Sequence, residues 1–357
     1  MSRLTPEAVV DRVRHAEVFS GVDLSGLDLS GLGLEGAVFE RCDLRGAKLA
    51  GARLDESMLA GCDLRGTRLA GTGLRMVTFE RCDLREVVVV DNTLAQTTFH
   101  QCTLEGADFT GTAMPRSTFV GCNLAEARLG RCRMDETVWL ECRVAGAGLD
   151  GSTLTRCVMT DTDLTRVDLR GVVLRQAVLQ GCTLTGLDLS GLALGMTVFQ
   201  GAEMTGVDLR GAALDRCNFK DAVLLGARLE GAQAPMALWV GAKLAGVRAG
   251  RAMLRQGVFV DADLSRAGLA GADLYQANLL RTRCVEADLT GAELTYADLS
   301  HADLTGATLT GATLFRTRLH RATLTDAHIP GRALALGDDV DLARSEDFQP
   351  PGDALDA

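Results

Sequence analysis

From Phe19 onward an apolar residue, nearly always large, recurs at every fifth position as far as Ile329 without one change of phase, 63 positions of which 42 are Leu and 9 are Phe. A period of five matches neither the 3.6-residue helix nor the two-residue strand, so neither can be the folding unit. The chain must turn every five residues. With the central residue written i, position i−2 is mostly Ala, Cys, Thr or Val, and each unit sends one large and one small group inward. Position i−1 is often Asp, and thirty of the forty glycines stand at i+2. Glycine there supplies a corner that tolerates positive φ. Where Arg41 and Arg81 replace it, a different turn type is expected.

The number of sides follows from two columns. Phe19, Phe39, Phe79, Phe99, Phe119, Phe199, Phe219 and Phe259, with Trp139 and Trp239, are separated by multiples of 20, as are Cys42, Cys62, Cys82, Cys102, Cys122, Cys142 and Cys182. Residues 20 apart are therefore stacked neighbours, and one coil is four sides of five residues. At the ~4.8 Å spacing of hydrogen-bonded strands, the units make about 16 coils and a rod of roughly 75 Å. Stability would come from each coil packing on the next.

Composition agrees with such a chain. It is 47% hydrophobic but only 4% aromatic over 357 residues. Eleven cysteines are an odd number without a C-x-x-C pair, which argues against a disulfide framework or a zinc site. They read as small, buried, reduced core groups. The start carries no apolar h-region, and the longest aliphatic run, Val87 to Val90, is far short of the ~20 residues that span a bilayer. A soluble cytoplasmic protein without membrane contact is expected, unless a secretion machine exports it without a cleaved signal.

Residues 262 to 316 read ADLSR AGLAG ADLYQ ANLLR TRCVE ADLTG AELTY ADLSH ADLTG ATLTG ATLFR, which resembles the pentapeptide repeat family with its A(D/N)LXX consensus. The resemblance covers residues 17 to 331. It implies an all-β solenoid, a right-handed quadrilateral parallel β-helix, here of about 16 coils with a short N-terminal capping helix. Three segments follow: 1–18 as an N-terminal cap with a helix over about 5–16, 19–331 as the continuous β-helix, and 332–357 as a C-terminal cap and acidic flexible tail. At the start, Thr5 caps a helix with Pro6 in its first turn and Leu4, Val9, Val13 and Ala16 on one face. At the far end Leu334, Leu336 and Phe348 are expected to cover the last coil, because an open sheet edge invites aggregation. A thinner core and a local bend are expected where Ala234, Pro235 and Ala249 interrupt the rule around Trp239.

Catalytic patterns are absent. Gly31-Leu-Gly33-Leu-Glu-Gly36 matches a nucleotide-binding fingerprint, but no strand-to-helix transition surrounds it and two of its glycines are corners. His15, His100, His301, His320 and His328 show no metal-ligand spacing. His301 and His320 stand almost one coil apart, and all five read as solvated surface residues. No enzyme, cofactor or metal is expected.

Two surfaces stand out. One i−1 column holds Asp23, Asp43, Asp63 and Asp83, is interrupted by Thr103, Asn123 and Arg143, and continues with Asp163 and Glu203 as a candidate acidic face. Arg45, Arg65 and Arg85 run beside it, which suggests mutual neutralisation. The family resemblance implies one possible use: some members resemble B-DNA in shape and charge and occupy the DNA site of gyrase, protecting it from quinolones. Charge argues against that use here. The net charge is −10, half of it in the tail from 330, whereas DNA carries one negative charge per ~1.7 Å. The second surface is an apolar strip outside the phenylalanines: Val138, Leu140, Val158, Val178, Val198, Leu238, Val240, Val258, Val260 and Leu280. Two readings of it stay open, a strand-favouring side of the coil or a partner or self-association surface. The leading expectation is a non-enzymatic scaffold binding a protein of unknown identity. A gyrase or topoisomerase modulator and an adaptor or effector linked to a bacterial secretion system are the alternatives. No direct nucleic-acid binding is expected.

Overall fold

The computed structural model describes residues 4–347, and the chain divides into two compact units, 1–208 and 209–357. The first opens with α1 (Pro6–Arg14), whose N-cap Thr5 accepts the Ala8 N–H at 3.3 Å and whose first turn carries Glu7. Val9 is its buried residue. Ala16 takes φ 52° beyond the helix end, and the Arg12 guanidinium sits 4.6 Å from the centre of the Phe19 ring. The helix thereby puts a cation on the first ring of the aromatic column, a favourable cation–π arrangement.

Eight short strands stack in parallel on the phenylalanine side of this unit: β1 (Phe19–Ser20), β2 (Val38–Glu40), β3 (Met58–Ala60), β4 (Thr78–Glu80), β5 (Thr98–His100), β6 (Thr118–Val120), β8 (Val138–Leu140) and β10 (Val158–Thr160). A neighbouring side carries β7 (Arg133–Asp135), β9 (Thr153–Thr155) and β11 (Val173–Arg175). Register is offset by 20 throughout, as in Phe79↔Phe99 and Thr118↔Val138. The fold is a parallel β-solenoid with four-sided coils. The expected count of about 16 coils overstates its sheet, which is about eight turns deep. Elsewhere a rung is a single bridge rather than a strand, as in Asp188↔Asp208 of the first unit and Lys243↔Asp263 and Asp303↔Thr323 of the second.

The corners differ from expectation at the replaced glycines. Arg41 and Arg81 have φ of 51° and 50°, the same left-handed region as Gly21 at 63° and Gly61 at 62°. One turn geometry serves nearly every corner, Arg166 and Gly331 being exceptions, because the corner N–H must aim at a carbonyl of the next coil. Arg41 N–H donates to Ala60 O at 2.7 Å, and Gly61 N–H to Glu80 O at 2.7 Å. Side chains at these corners accept a conformation that costs an L-residue about 1–2 kcal/mol, in exchange for that bond.

Inside, the rings stack at coil spacing: Phe79–Phe99 at 4.9 Å and Phe99–Phe119 at 4.8 Å in the first unit, Phe219–Trp239 at 4.2 Å in the second. All eleven cysteines are buried thiols. Around Trp239 the coil-to-coil bonds continue, with Ala234 N–H to Met253 O at 2.8 Å and Ala249 N–H to Gly268 O at 2.7 Å. The small residues leave an apolar void of about 10 Å³ beside Trp239, Leu229 and Leu254.

At the far end, a short 3₁₀ turn (Arg332–Leu334) leads into an extended stretch and then α2 (Val340–Glu346). Leu336 donates to Thr317 O and accepts from Leu319 N–H, both at 2.8 Å. Leu334 and Leu336 were expected to cover the last coil with their side chains, yet these are 60% and 48% exposed. The main chain does the covering instead, because unpaired backbone groups are what a strand edge leaves open. Phe348 and the acidic remainder lie outside the described residues. The histidine expectation is also corrected: His320 is buried, at 3% exposure, beneath α2. Among the described residues no helix is long and apolar enough to cross a membrane.

Candidate interaction surface

The i−1 aspartates owe their recurrence first to the backbone. Asp23 Oδ1 accepts Ser25 N–H at 2.9 Å, Asp43 Oδ1 accepts Arg45 N–H at 3.0 Å, and Asp63 Oδ1 accepts Arg65 N–H at 3.1 Å. Asp163 does the same for Thr165 at 2.9 Å. Each short carboxylate reaches its own chain two residues on, the local bond that makes Asp a turn former. The sequence signal was the recurring Asp-Leu pair, and its meaning lay in the Asp-to-i+1 spacing. Glu203 joins the same column through its bridge to Thr183.

The acidic face is neutralised where it is most regular. Arg45 pairs with Asp43 at 2.5 Å and approaches Asp63 at 3.5 Å. Arg65 pairs with Asp63 at 2.7 Å and approaches Asp83 at 3.6 Å, and Arg85 closes on Asp83 at 2.6 Å. The guanidinium hydrogen bonds hold Asp43, Asp63 and Asp83 below the usual carboxylate range, with burial pulling the other way. The result is a charge-alternating ladder.

The apolar strip falls in two parts, one in each unit. In the first unit Val138, Val158, Val178 and Val198 follow one another at the 20-residue register. Leu140 pairs Thr160 beside them. All five strip residues of this unit are half-buried. In the second unit Leu238 bridges Val258. Leu238 is 40% exposed, while Val240, Val258, Val260 and Leu280 are half-buried. The upright side chains shield one another along the ladder, and each row shows solvent an apolar ridge.

A second exposed feature was not anticipated. In the second unit Tyr275, Tyr296 and Phe315 meet edge to face, at 6.0 and 5.9 Å between ring centres. The Arg255 guanidinium lies 4.7 Å from the centre of the Tyr275 ring. The sequence signal was present in the spacing: Tyr275 and Phe315 share a column two coils apart, and Tyr296 is one residue off it.

Residues 32–109 match the family model described as a pentapeptide repeat region. Segments 93–131, 162–201, 202–234, 242–281, 267–306, 282–321 and 292–329 match the one described as pentapeptide repeats (8 copies). No curated protein matches the chain. Similar solved structures include trypsin-treated QnrB1, a plasmid-mediated fluoroquinolone resistance protein, at 21% identity over 50% of this chain and 88% of that one, with TM-score 0.33. HetL, involved in heterocyst differentiation regulation in the cyanobacterium Nostoc, is 20% identical over 95% and 98%, with TM-score 0.14. A pentapeptide repeat protein of the Arabidopsis thaliana thylakoid lumen is 27% identical over 33% and 67%, with TM-score 0.23. With TM-scores this low, none of the three carries an argument, and the assignment rests on the repeats. The chain belongs to the pentapeptide repeat family.

Proposed function

We propose that the chain is a non-enzymatic scaffold that binds a protein partner through the apolar ridges outside the phenylalanine column. The observation that carries this reading is the in-register row Val138, Val158, Val178 and Val198, each residue one coil from the next. Four aliphatic side chains held on one face by backbone bonds are preorganised, so little conformational freedom is lost on docking. The ridge of the second unit, Leu238, Val240, Val258, Val260 and Leu280, offers the same chemistry. Family membership supports a scaffold role, since the repeat defines a surface rather than a reaction centre.

The DNA-mimic reading is disfavoured by the ladder of Asp43, Asp63 and Asp83, each closed by an arginine. A phosphate backbone presents unpaired negative charge, and these three carboxylates do not. Affinity capture from native cells, with the wild type beside a Val158→Asp/Val198→Asp variant and a Leu238→Asp/Val260→Asp variant, tests the proposal. The expected result is a partner, or a self-associated species by light scattering, that is lost in at least one variant. If both variants keep every partner and the same oligomeric state, the apolar ridges are not the binding surface. Inhibition or protection of gyrase in a supercoiling assay would favour the rival reading.

A further inference from the structure

We propose that His301, His320 and Glu346 form a binding site for a zinc-class divalent cation beneath α2. Their ligand atoms all lie within 4.8 Å of one another. His301 Nε2 stands 3.2 Å from Glu346 Oε1, and His320 Nε2 stands 3.3 Å from Glu346 Oε2. Two ligands on a tetrahedral zinc ion with bonds of about 2.0–2.1 Å lie about 3.4 Å apart. Each imidazole is thus already at coordination distance from one of the two carboxylate oxygens. Two imidazoles and a carboxylate suit zinc and its neighbours in the first transition row rather than calcium or magnesium, which prefer oxygen alone.

The residues come together for reasons separate from sequence spacing. His301 is a corner residue with φ 58°, and His320 stands beside the corner stacked on it, so their rings meet edge to face at 5.4 Å. Glu346 arrives from 26 residues beyond, on the last turn of α2. A cavity of about 370 Å³ lined by Ser300, His301, His320, Asp339, Leu342 and Glu346 opens beside them, with room for the water ligand that completes a three-residue site.

Binding would exchange existing partners. His320 Nδ1 accepts the Asp339 N–H at 3.1 Å, so its Nε2 carries the proton given to Glu346. Coordination through Nε2 requires that proton to shift to Nδ1, which gives up the Asp339 N–H bond. Asp338 Oδ1, 3.8 Å from His320 Nδ1, is placed to receive an Nδ1–H, the carboxylate–histidine–metal pattern. Arg321 would yield Glu346 Oε2, now at 3.1 Å, and keep Asp347 Oδ2 at 2.6 Å and the Ala343 carbonyl at 3.0 Å. Zinc uptake is therefore coupled to the seating of α2.

The test is calorimetric titration of the full chain with zinc chloride, repeated on His301→Ala and Glu346→Gln, with His100→Ala as a distant control. The expected result is one zinc per chain, with affinity reduced about tenfold or more in the first two variants and unchanged in the control. Cobalt(II) should give the visible bands of nitrogen and oxygen ligation without a thiolate charge-transfer band. Absence of zinc binding by the wild type, or wild-type affinity in both His301→Ala and Glu346→Gln, overturns the proposal. If Glu346→Gln fails to fold, His301→Ala decides alone, since that side chain is one-third exposed and its loss leaves the core intact.

Discussion

The phenylalanine side is built in two ways, and the difference lies in which donor each carbonyl of the column accepts. In the first unit, β2 to β6 have central carbonyls on Phe39, Leu59, Phe79, Phe99 and Phe119, and each accepts a thiol from the following coil. Cys62, Cys82, Cys102, Cys122 and Cys142 donate Sγ–H over 3.2–3.5 Å. In the second unit the same slot is Ala222, Ala242 and Ala262. There the carbonyls of Phe219, Trp239 and Phe259 accept the alanine N–H three residues on, at 3.0, 3.0 and 2.9 Å. Cys182 marks the changeover: its Sγ donates to Met159 O in β10, and its own N–H closes a turn onto Leu179 O. On this side thiol-bonded carbonyls go with extended rungs and amide-bonded ones with turns, although elsewhere Phe109 O accepts both the Cys132 thiol at 3.0 Å and the Thr112 N–H at 2.9 Å. Ser57 and Thr97 donate to Leu34 O at 2.8 Å and Leu74 O at 2.6 Å on other sides, but Leu34 O also takes the Ala37 N–H at 3.2 Å and neither rung is a strand.

The largest test of this comparison is Cys102→Ala beside Cys102→Ser. Alanine removes the donor to Phe79 O and leaves space in a packed core, for an expected loss of about 1–2 kcal/mol. Serine keeps a donor and should lose less than half as much. Denaturant unfolding of both variants provides the measurement. Equal losses would mean that the thiols act only by volume, and the contrast between the two units would lose its cause.

The sequence made the frame legible and hid its chemistry. The five-residue phase and the 20-residue columns predicted four-sided coils, because each records a geometric necessity in residue type. Phe79, Phe99 and Phe119 stack where the spacing put them. The cysteines were read as small apolar groups, since nothing in a Cys at i−2 tells how its thiol is used. The coil count missed for a related reason: period alone does not distinguish a strand from a bridged turn. The cluster at His301, His320 and Glu346 was invisible because Glu346 lies outside the repeat, and only the path of the cap brings it back. Leu334 and Leu336 show the limit of arguing from hydrophobicity at an edge whose unmet demand is hydrogen bonding.

A middle-sized effect is expected at the corners. If one left-handed geometry serves glycine and arginine alike, then Arg41→Gly relieves about 1–2 kcal/mol of backbone strain while adding about 0.4–1 kcal/mol of unfolded-state entropy. The net gain should be about 1 kcal/mol or less, read as a rise in midpoint denaturant concentration. A loss of stability would show that the Arg41 side chain, which donates to Ser20 Oγ at 3.3 Å, matters more than the corner.

The smallest effect belongs to the charged ladder. Asp63 has two jobs, bracing Arg65 N–H and pairing the arginine heads. Asp63→Asn keeps an oxygen for the brace and removes the charge, so it should cost under about 0.5 kcal/mol, as partly exposed pairs do. Asp63→Ala removes both and should cost about 1 kcal/mol. The sign with pH follows from the lowered carboxyl. Its ionised form is favoured by the fold, so the contribution is fully present above the ordinary aspartate range, near 3.9. It is lost as pH falls through the lower folded value. Wild type and Asp63→Asn should therefore differ at neutral pH and converge in acid, and no gap at neutral pH would assign the residue's worth to the brace alone.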